Sequence, residues 1–211
     1  MHYVLALWYD VKYKKTCKGE CGLVIYADDF VATFQYKEEA ERFLEEVQKR
    51  FANFGLELEA SKTRLVEFGR FADRNRNKCG EGKAETFDFL GFTHYCSKSY
   101  KTGKFRMKRK TSRKKDRMKL TEMNLWLKQN RHLRLKDLIT KLNMKLQGHY
   151  QYYGITDNSK YLGCFLNETT KMLFKWLNRR SQRKSYTWDG FNQLLKIFPL
   201  AKPRIHFSIY S

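Results

Sequence analysis

Two carboxylates stand side by side in Leu23-Val24-Ile25-Tyr26-Ala27-Asp28-Asp29-Phe30-Val31-Ala32, between two short apolar, β-rich runs. Leu23 to Tyr26 and Phe30 to Phe34 read as the arms of a tight hairpin with Ala27-Asp28-Asp29 at the bend. In a regular strand adjacent side chains point to opposite faces, which would separate the two acids. A bend at the pair relaxes that alternation and lets both reach one metal-sized space. Hard cations such as Mg²⁺ take oxygen ligands and keep phosphate oxygens in their shell. A rigidly held carboxylate pair is what two-metal nucleotidyl transfer needs. The competing reading is an ordinary solvated Asp-Asp turn; the apolar arms on both sides weigh against it.

The charge balance points the same way. Lys and Arg number 43 against 22 Asp and Glu, a formal net charge of +21 that calls for a polyanionic partner, nucleic acid first. Aromatics make up 16% of the chain, mostly core, with some free to stack on bases. The odd cysteine set, Cys17, Cys21, Cys79, Cys96 and Cys164, argues for free thiols in a reducing, cytoplasmic setting. Cys17 and Cys21 lack a following Cys/His pair at zinc spacing. No stretch approaches the length of a membrane span.

The elements that must position these groups follow from periodicity. Met1 to Val11 is apolar-rich and reads as a helix; opening without a cap, it looks like a chain cut inside packed structure. Ala40, Phe43, Leu44, Val47, Phe51 and Phe54 mark a helix closed by Gly55. Leu56, Leu58 and Ala60 alternate as a half-buried strand, and Arg64 to Phe68 as another. Phe71 to Glu85 reads as a polar surface loop. Phe87-Asp88-Phe89-Leu90-Gly91-Phe92 is an alternating aromatic run with a bend. Lys98 to Lys104 is a second turn and Phe105-Arg106-Met107 its return strand.

From Arg106 to Lys119 the chain reads RMKRKTSRKKDRMK. Thr111 or Ser112 would cap a helix through Met118, Met123 and Trp126. A second helix carries Leu135, Leu138, Ile139, Leu142, Leu146, His149, Tyr150 and Tyr153 and ends at Gly154. A third, capped by Asp157 or Asn158, runs through Leu177, and a fourth from Thr187 stops at Pro199. The expected class is α+β: a partial antiparallel sheet with a packed helix, then an all-α bundle of three to four helices. The boundaries fall at 1–107, 108–198 and a tail 199–211.

Four boxes in order give these elements a family likeness. Tyr26-Ala27-Asp28-Asp29 resembles the YADD box of reverse transcriptases encoded by group II introns. Phe54-Gly55-Leu56 through Lys62-Thr63 resembles the next palm motif. Phe87 to Phe92 resembles the primer-gripping FDFLGF hairpin. Leu146 to Gly154 resembles the LxGHYxYYG box of the maturase-specific thumb, and Arg179-Arg180-Ser181-Gln182 the thumb's ending. The likeness covers nearly the whole chain, as the C-terminal half of such an enzyme. The fingers, and the palm strand bearing a further catalytic Asp, are the parts it lacks, and a zinc-bearing endonuclease is absent too. It reads as a truncated reading frame or a misassigned start.

The resemblance implies specific roles. Asp28 and Asp29 would hold two Mg²⁺ ions, in a site left incomplete by this chain, and Lys62 would face the triphosphate or be an ordinary surface lysine. Phe89, Leu90 and Gly91 would form the primer grip, with a backbone open to close approach. Arg106, Lys108, Arg109, Lys110, Arg113, Lys114, Lys115 and Arg117 would contact phosphates, extended by Arg179, Arg180 and Arg183. Tyr152, off the apolar stripe, would touch RNA, whereas His149 reads as a core histidine. The implied partners are group II intron RNA, an RNA or DNA primer–template and the N-terminal half in trans, with no membrane. The implied function is that of part of an RNA-directed DNA polymerase and maturase, inactive alone. The alternatives are a stand-alone, non-catalytic RNA-binding maturase module and an inert product.

Overall fold

The computed structural model describes residues 1–100, 102–181 and 185–209. It divides into two compact units, Met1–Glu67 and Phe68–Ser211. Its class is α+β, with two small antiparallel sheets and a helical bundle in the C-terminal half.

The first unit opens with wide helical turns over His2–Ala6 and Tyr9–Tyr13, tightening into a 3-10 turn at Lys14–Thr16. Leu5, Tyr9 and Tyr13 recur every fourth residue, and all three are buried. They meet Phe43, Val47 and Phe51 from the inner face of α1 (Lys37–Asn53). Strands β1 (Cys21–Tyr26) and β2 (Asp29–Phe34) pair antiparallel and lay Leu23, Ile25, Phe30, Ala32 and Phe34 on that core. The alternate face, with Val24 and Tyr26, is exposed. Glu39 reaches from α1 to accept the Lys18 N–H at 2.6 Å and the Gly19 N–H at 3.3 Å, which fixes the entry to β1.

The two strands expected over Leu56–Ala60 and Arg64–Phe68 do not form; the segment is irregular, with a turn at Glu59–Thr63. Alternation records which side chains prefer burial, but a strand also needs a partner ladder. Leu58 packs on the first core while Leu56 and Leu65 stay exposed.

The second unit corrects the loop expected over Phe71–Glu85, because α2 occupies Ala72–Lys78. This helix is held by polar side chains, so apolar periodicity could not announce it. Asp73 accepts the Ala84 N–H at 2.6 Å, and Arg76 pairs with Glu81 at 3.0 Å while donating to the Lys83 carbonyl. Strands β3 (Phe87–Phe89), β4 (Phe92–Lys98) and β5 (Phe105–Thr111) form an antiparallel meander. The return strand therefore runs four residues further than Phe105-Arg106-Met107.

Helices α3 (Arg113–Asn130), α4 (Leu135–Tyr153), α5 (Ser159–Leu177) and α6 (Trp188–Ile197) enclose the larger core. Leu127, Leu138, Leu142, Leu146, Leu162, Phe165, Leu173, Leu177 and Phe191 lie at its centre. Ser112 caps α3 by accepting the Lys115 N–H, and Thr187 caps α6 through the Gly190 N–H. Gly154 is the C-cap of α4, and only glycine fits there, because a Cβ would lie 2.3 Å from the Tyr150 carbonyl oxygen and 2.6 Å from that of Arg204. All five cysteines are free thiols. No described helix is long and apolar enough to cross a membrane.

Candidate functional site

In the first unit, Tyr26 pairs with Asp29, so Ala27 and Asp28 alone make the hairpin turn. Ala27 has φ 52°, the left-handed conformation that primed two-residue turns demand and that glycine usually supplies. For an alanine this costs roughly 1–2 kcal/mol. The strain sits at the residue that aims the acidic pair. Asp28 is on the turn and Asp29 opens β2, and both are exposed.

Lys62 lies close enough to feel the Asp29 charge, although its direct partner is Glu59 at 2.9 Å. That ion pair, with a smaller contribution from Asp29, holds the Lys62 pKa above its ordinary value. Glu59 is pushed the opposite way, first by the Ser61 hydroxyl and then by Lys62. Mg²⁺ wants about six oxygen ligands in octahedral array. Among the described residues no group of three or more His, Cys, Asp or Glu side chains gathers to hold a metal. The Asp28–Asp29 pair can supply part of a divalent centre and does not make one unaided.

In the second unit, the Leu90-Gly91 turn between β3 and β4 has both residues at positive φ, 50° and 78°. A leucine in that region is uncommon and needs outside support. Tyr152 supplies it: its hydroxyl donates to the Leu90 carbonyl at 2.9 Å, and its ring stacks on Phe92. The Ser112 N–H donates to the Gly91 carbonyl, also at 2.9 Å. A Cβ on Gly91 would lie 3.2 Å from the Tyr153 hydroxyl. The missing side chain thus makes room for α4. Tyr152, half exposed, has a structural bond beside whatever its ring can touch.

Asn158 is the residue that sequence reasoning missed. Expected as a cap for α5, it makes no capping bond with its side chain. Fully buried, it accepts the Thr111 N–H at 2.8 Å, donates to the Thr111 hydroxyl at 2.9 Å, and donates to the Tyr153 carbonyl at 2.8 Å. It ties the end of β5 to the end of α4. An asparagine after an aspartate signals a helix start and gives no hint of such a hub. His149 is half buried and stacks on Phe165 with centroids 3.8 Å apart. Burial first, then the Lys119 charge, pushes its pKa down to about 4.

The basic run is split by the fold. Arg106, Lys108 and Lys110 share one face of β5, opposite Ser97, Tyr95 and Thr93, and Lys110 lies over the Tyr95 ring at 5.3 Å. Arg109 is on the other face, opposite His94, whose pKa is lowered by burial and then by that guanidinium. Arg113, Lys114, Lys115 and Arg117 are exposed on the first turns of α3. Arg179 lies against Trp176, and Arg180 donates to the Leu133 carbonyl at 3.1 Å. Arg183 lies outside the described residues.

A strained acidic hairpin turn on a two-stranded sheet, then a propped aromatic hairpin leading into a basic helix, is the order that the four boxes suggested. Family models decide the matter: residues 1–94 match reverse transcriptase (RNA-dependent DNA polymerase), and residues 115–193 match the group II intron maturase-specific domain. The chain belongs to the group II intron reverse transcriptase and maturase family. No curated protein sequence matches it. The two matched domains imply nucleic acid as the class of partner, intron RNA included. The first match spans the acidic turn and ends at His94 in β4; the second covers most of the helical bundle.

Proposed function

We propose that this chain is the nucleic-acid-binding palm and thumb portion, 1–107 and 108–198, of a group II intron reverse transcriptase. It holds intron RNA and a primer–template, and the setting is cytoplasmic. The observation that carries the reading is the continuity from the propped Leu90-Gly91 turn through β5 into α3. Phe89, Leu90 and Gly91 guide the primer end, and the cations of β5 and α3, with Tyr152, Arg179, Arg180 and Arg183, hold the phosphates.

In this reading Asp28 and Asp29 contribute to a Mg²⁺ centre completed by a carboxylate from elsewhere, and Lys62 stands beside it. When bound, the metal would supply charge stabilisation for nucleotidyl transfer. The residues of this chain bind and orient. A second chain bearing the fingers and the rest of the palm would be the partner that completes the centre and covers Val24 and Tyr26. The alternative is a non-catalytic RNA-binding module, which uses the same cationic surface of a chain with net charge +21 and needs no metal.

Two assays test what the readings share, the inability to polymerise alone and the electrostatic hold on RNA. Primer extension by the chain alone with Mg²⁺ should yield no product; robust DNA synthesis would overturn the incomplete centre. Filter binding of structured RNA should weaken steeply with salt, through counterion release. Absent or salt-insensitive binding would refute both readings.

A further inference from the structure

Around the buried Trp176 the thumb gathers cations from two helices. Arg131, just past the end of α3, lies with its guanidinium 5.6 Å from the indole centroid. Lys175, on α5, lies at 5.2 Å, and Arg179, just beyond α5, at 5.6 Å. The Trp176 Nε1–H donates to the Asn124 side chain at 2.8 Å, which fixes the ring across the α3–α5 contact. Lys175 and Arg179 are exposed and Arg131 is half buried. None of the three forms an ion pair among the described residues.

Cation–π attraction and the carbonyl ends of α3 and α5 account for each cation singly. They do not remove the mutual repulsion of three like charges drawn to one ring. A polyanion does. From the convergence of Arg131, Lys175 and Arg179 on Trp176, we infer that this end of the bundle is a phosphodiester-binding station for the RNA backbone. It is additional to the β5–α3 surface. Two guanidinium forks and one ammonium suit successive phosphates, since arginine binds phosphate bidentately and lysine as a point charge. No base edge is read, so the contact is sequence-independent. The inference rests on the nucleic-acid reading above and adds Arg131 and Lys175 to it.

The test is the salt dependence of binding to a fluorescein-labelled RNA hairpin with single-stranded flanks, followed by anisotropy on the full chain. The variant Arg131→Gln/Lys175→Gln/Arg179→Gln keeps most of each aliphatic stem. It should weaken binding about tenfold or more and reduce the slope of log K against log salt by about 2, as expected for three lost phosphate contacts. A charge-retaining Arg131→Lys/Arg179→Lys variant should keep the wild-type slope; a slope as low as the glutamine variant's would overturn the proposal. So would a wild-type slope in the glutamine variant while Lys114→Gln/Lys115→Gln/Arg117→Gln lowers it, an outcome that leaves the nucleic-acid reading intact. Salt-insensitive binding by the wild type itself would remove both.

Discussion

Three residues carry conformational or hydrogen-bonding loads out of proportion to their size. Ala27 holds a left-handed φ at the acidic turn. Replacing it with glycine removes the Cβ penalty at some entropic cost, so Ala27→Gly should stabilise the chain by about 0.5–1 kcal/mol, read as a raised denaturation midpoint. An unchanged or lower midpoint would mean that the turn is not strained. Asn158 is the opposite case. Asn158→Ala strips partners from the buried Thr111 N–H and the Tyr153 carbonyl. A loss of about 2 kcal/mol is expected, again by chemical denaturation, chiefly from the buried Thr111 N–H left unsatisfied, because the Tyr153 carbonyl still accepts the Ile155 N–H. Tyr152→Phe removes only the bond to the Leu90 carbonyl and should cost about 1 kcal/mol. Its sharper readout is faster amide exchange or proteolysis at Leu90-Gly91; protection equal to wild type would show that the turn holds itself.

Between elements, the α4–α5 contact has a built-in acid sensitivity. His149 lies flat on Phe165 with its pKa lowered to about 4 by burial and then by Lys119. In the unfolded chain a histidine titrates near 6.5. Between those values the unfolded state binds a proton that the folded state refuses, so stability falls as pH drops from about 6.5 toward 4. The loss should approach 2–3 kcal/mol, an order-of-magnitude figure that other groups titrating in this range will modify. His149→Phe should flatten that part of the stability profile by a similar amount. A variant with the wild-type slope between pH 6.5 and 4.5 would assign the sensitivity to another group. The sheet elements teach a different lesson: β5 is all half buried except Thr111, because its cations lie over rings and opposite polar neighbours. Long cationic side chains cover apolar surface while their heads stay wet.

At the scale of the molecule, the net charge of +21 sets the affinity for polyanions before any specific contact is made. RNA binding should fall by about a hundredfold or more between 50 and 200 mM salt if half a dozen or more phosphates are held. A fall of less than tenfold would confine contact to one or two cations. With Mg²⁺ present, the isolated chain should retain that binding and still fail in primer extension. The acidic turn is exposed, and no third carboxylate joins it among the described residues.

The amino-acid order alone determined the class, the two hairpins and the helical bundle. Its apolar periods are long there, and turn and cap residues such as Ser112, Gly154 and Thr187 punctuate them. It also determined the family, through four boxes whose residue types are specific even before their geometry is known. Only the tertiary structure decided that Leu56–Ala60 and Arg64–Phe68 form no strands and that Ala72–Lys78 forms a helix. Pairing and side-chain stitching depend on partners distant in the chain. It alone decided that Tyr152 props a turn 62 residues away, that Asn158 joins β5 to α4, and that three cations converge on Trp176. Such contacts leave no period in the sequence, because a single hydrogen bond or ring contact constrains one residue and not the pattern around it.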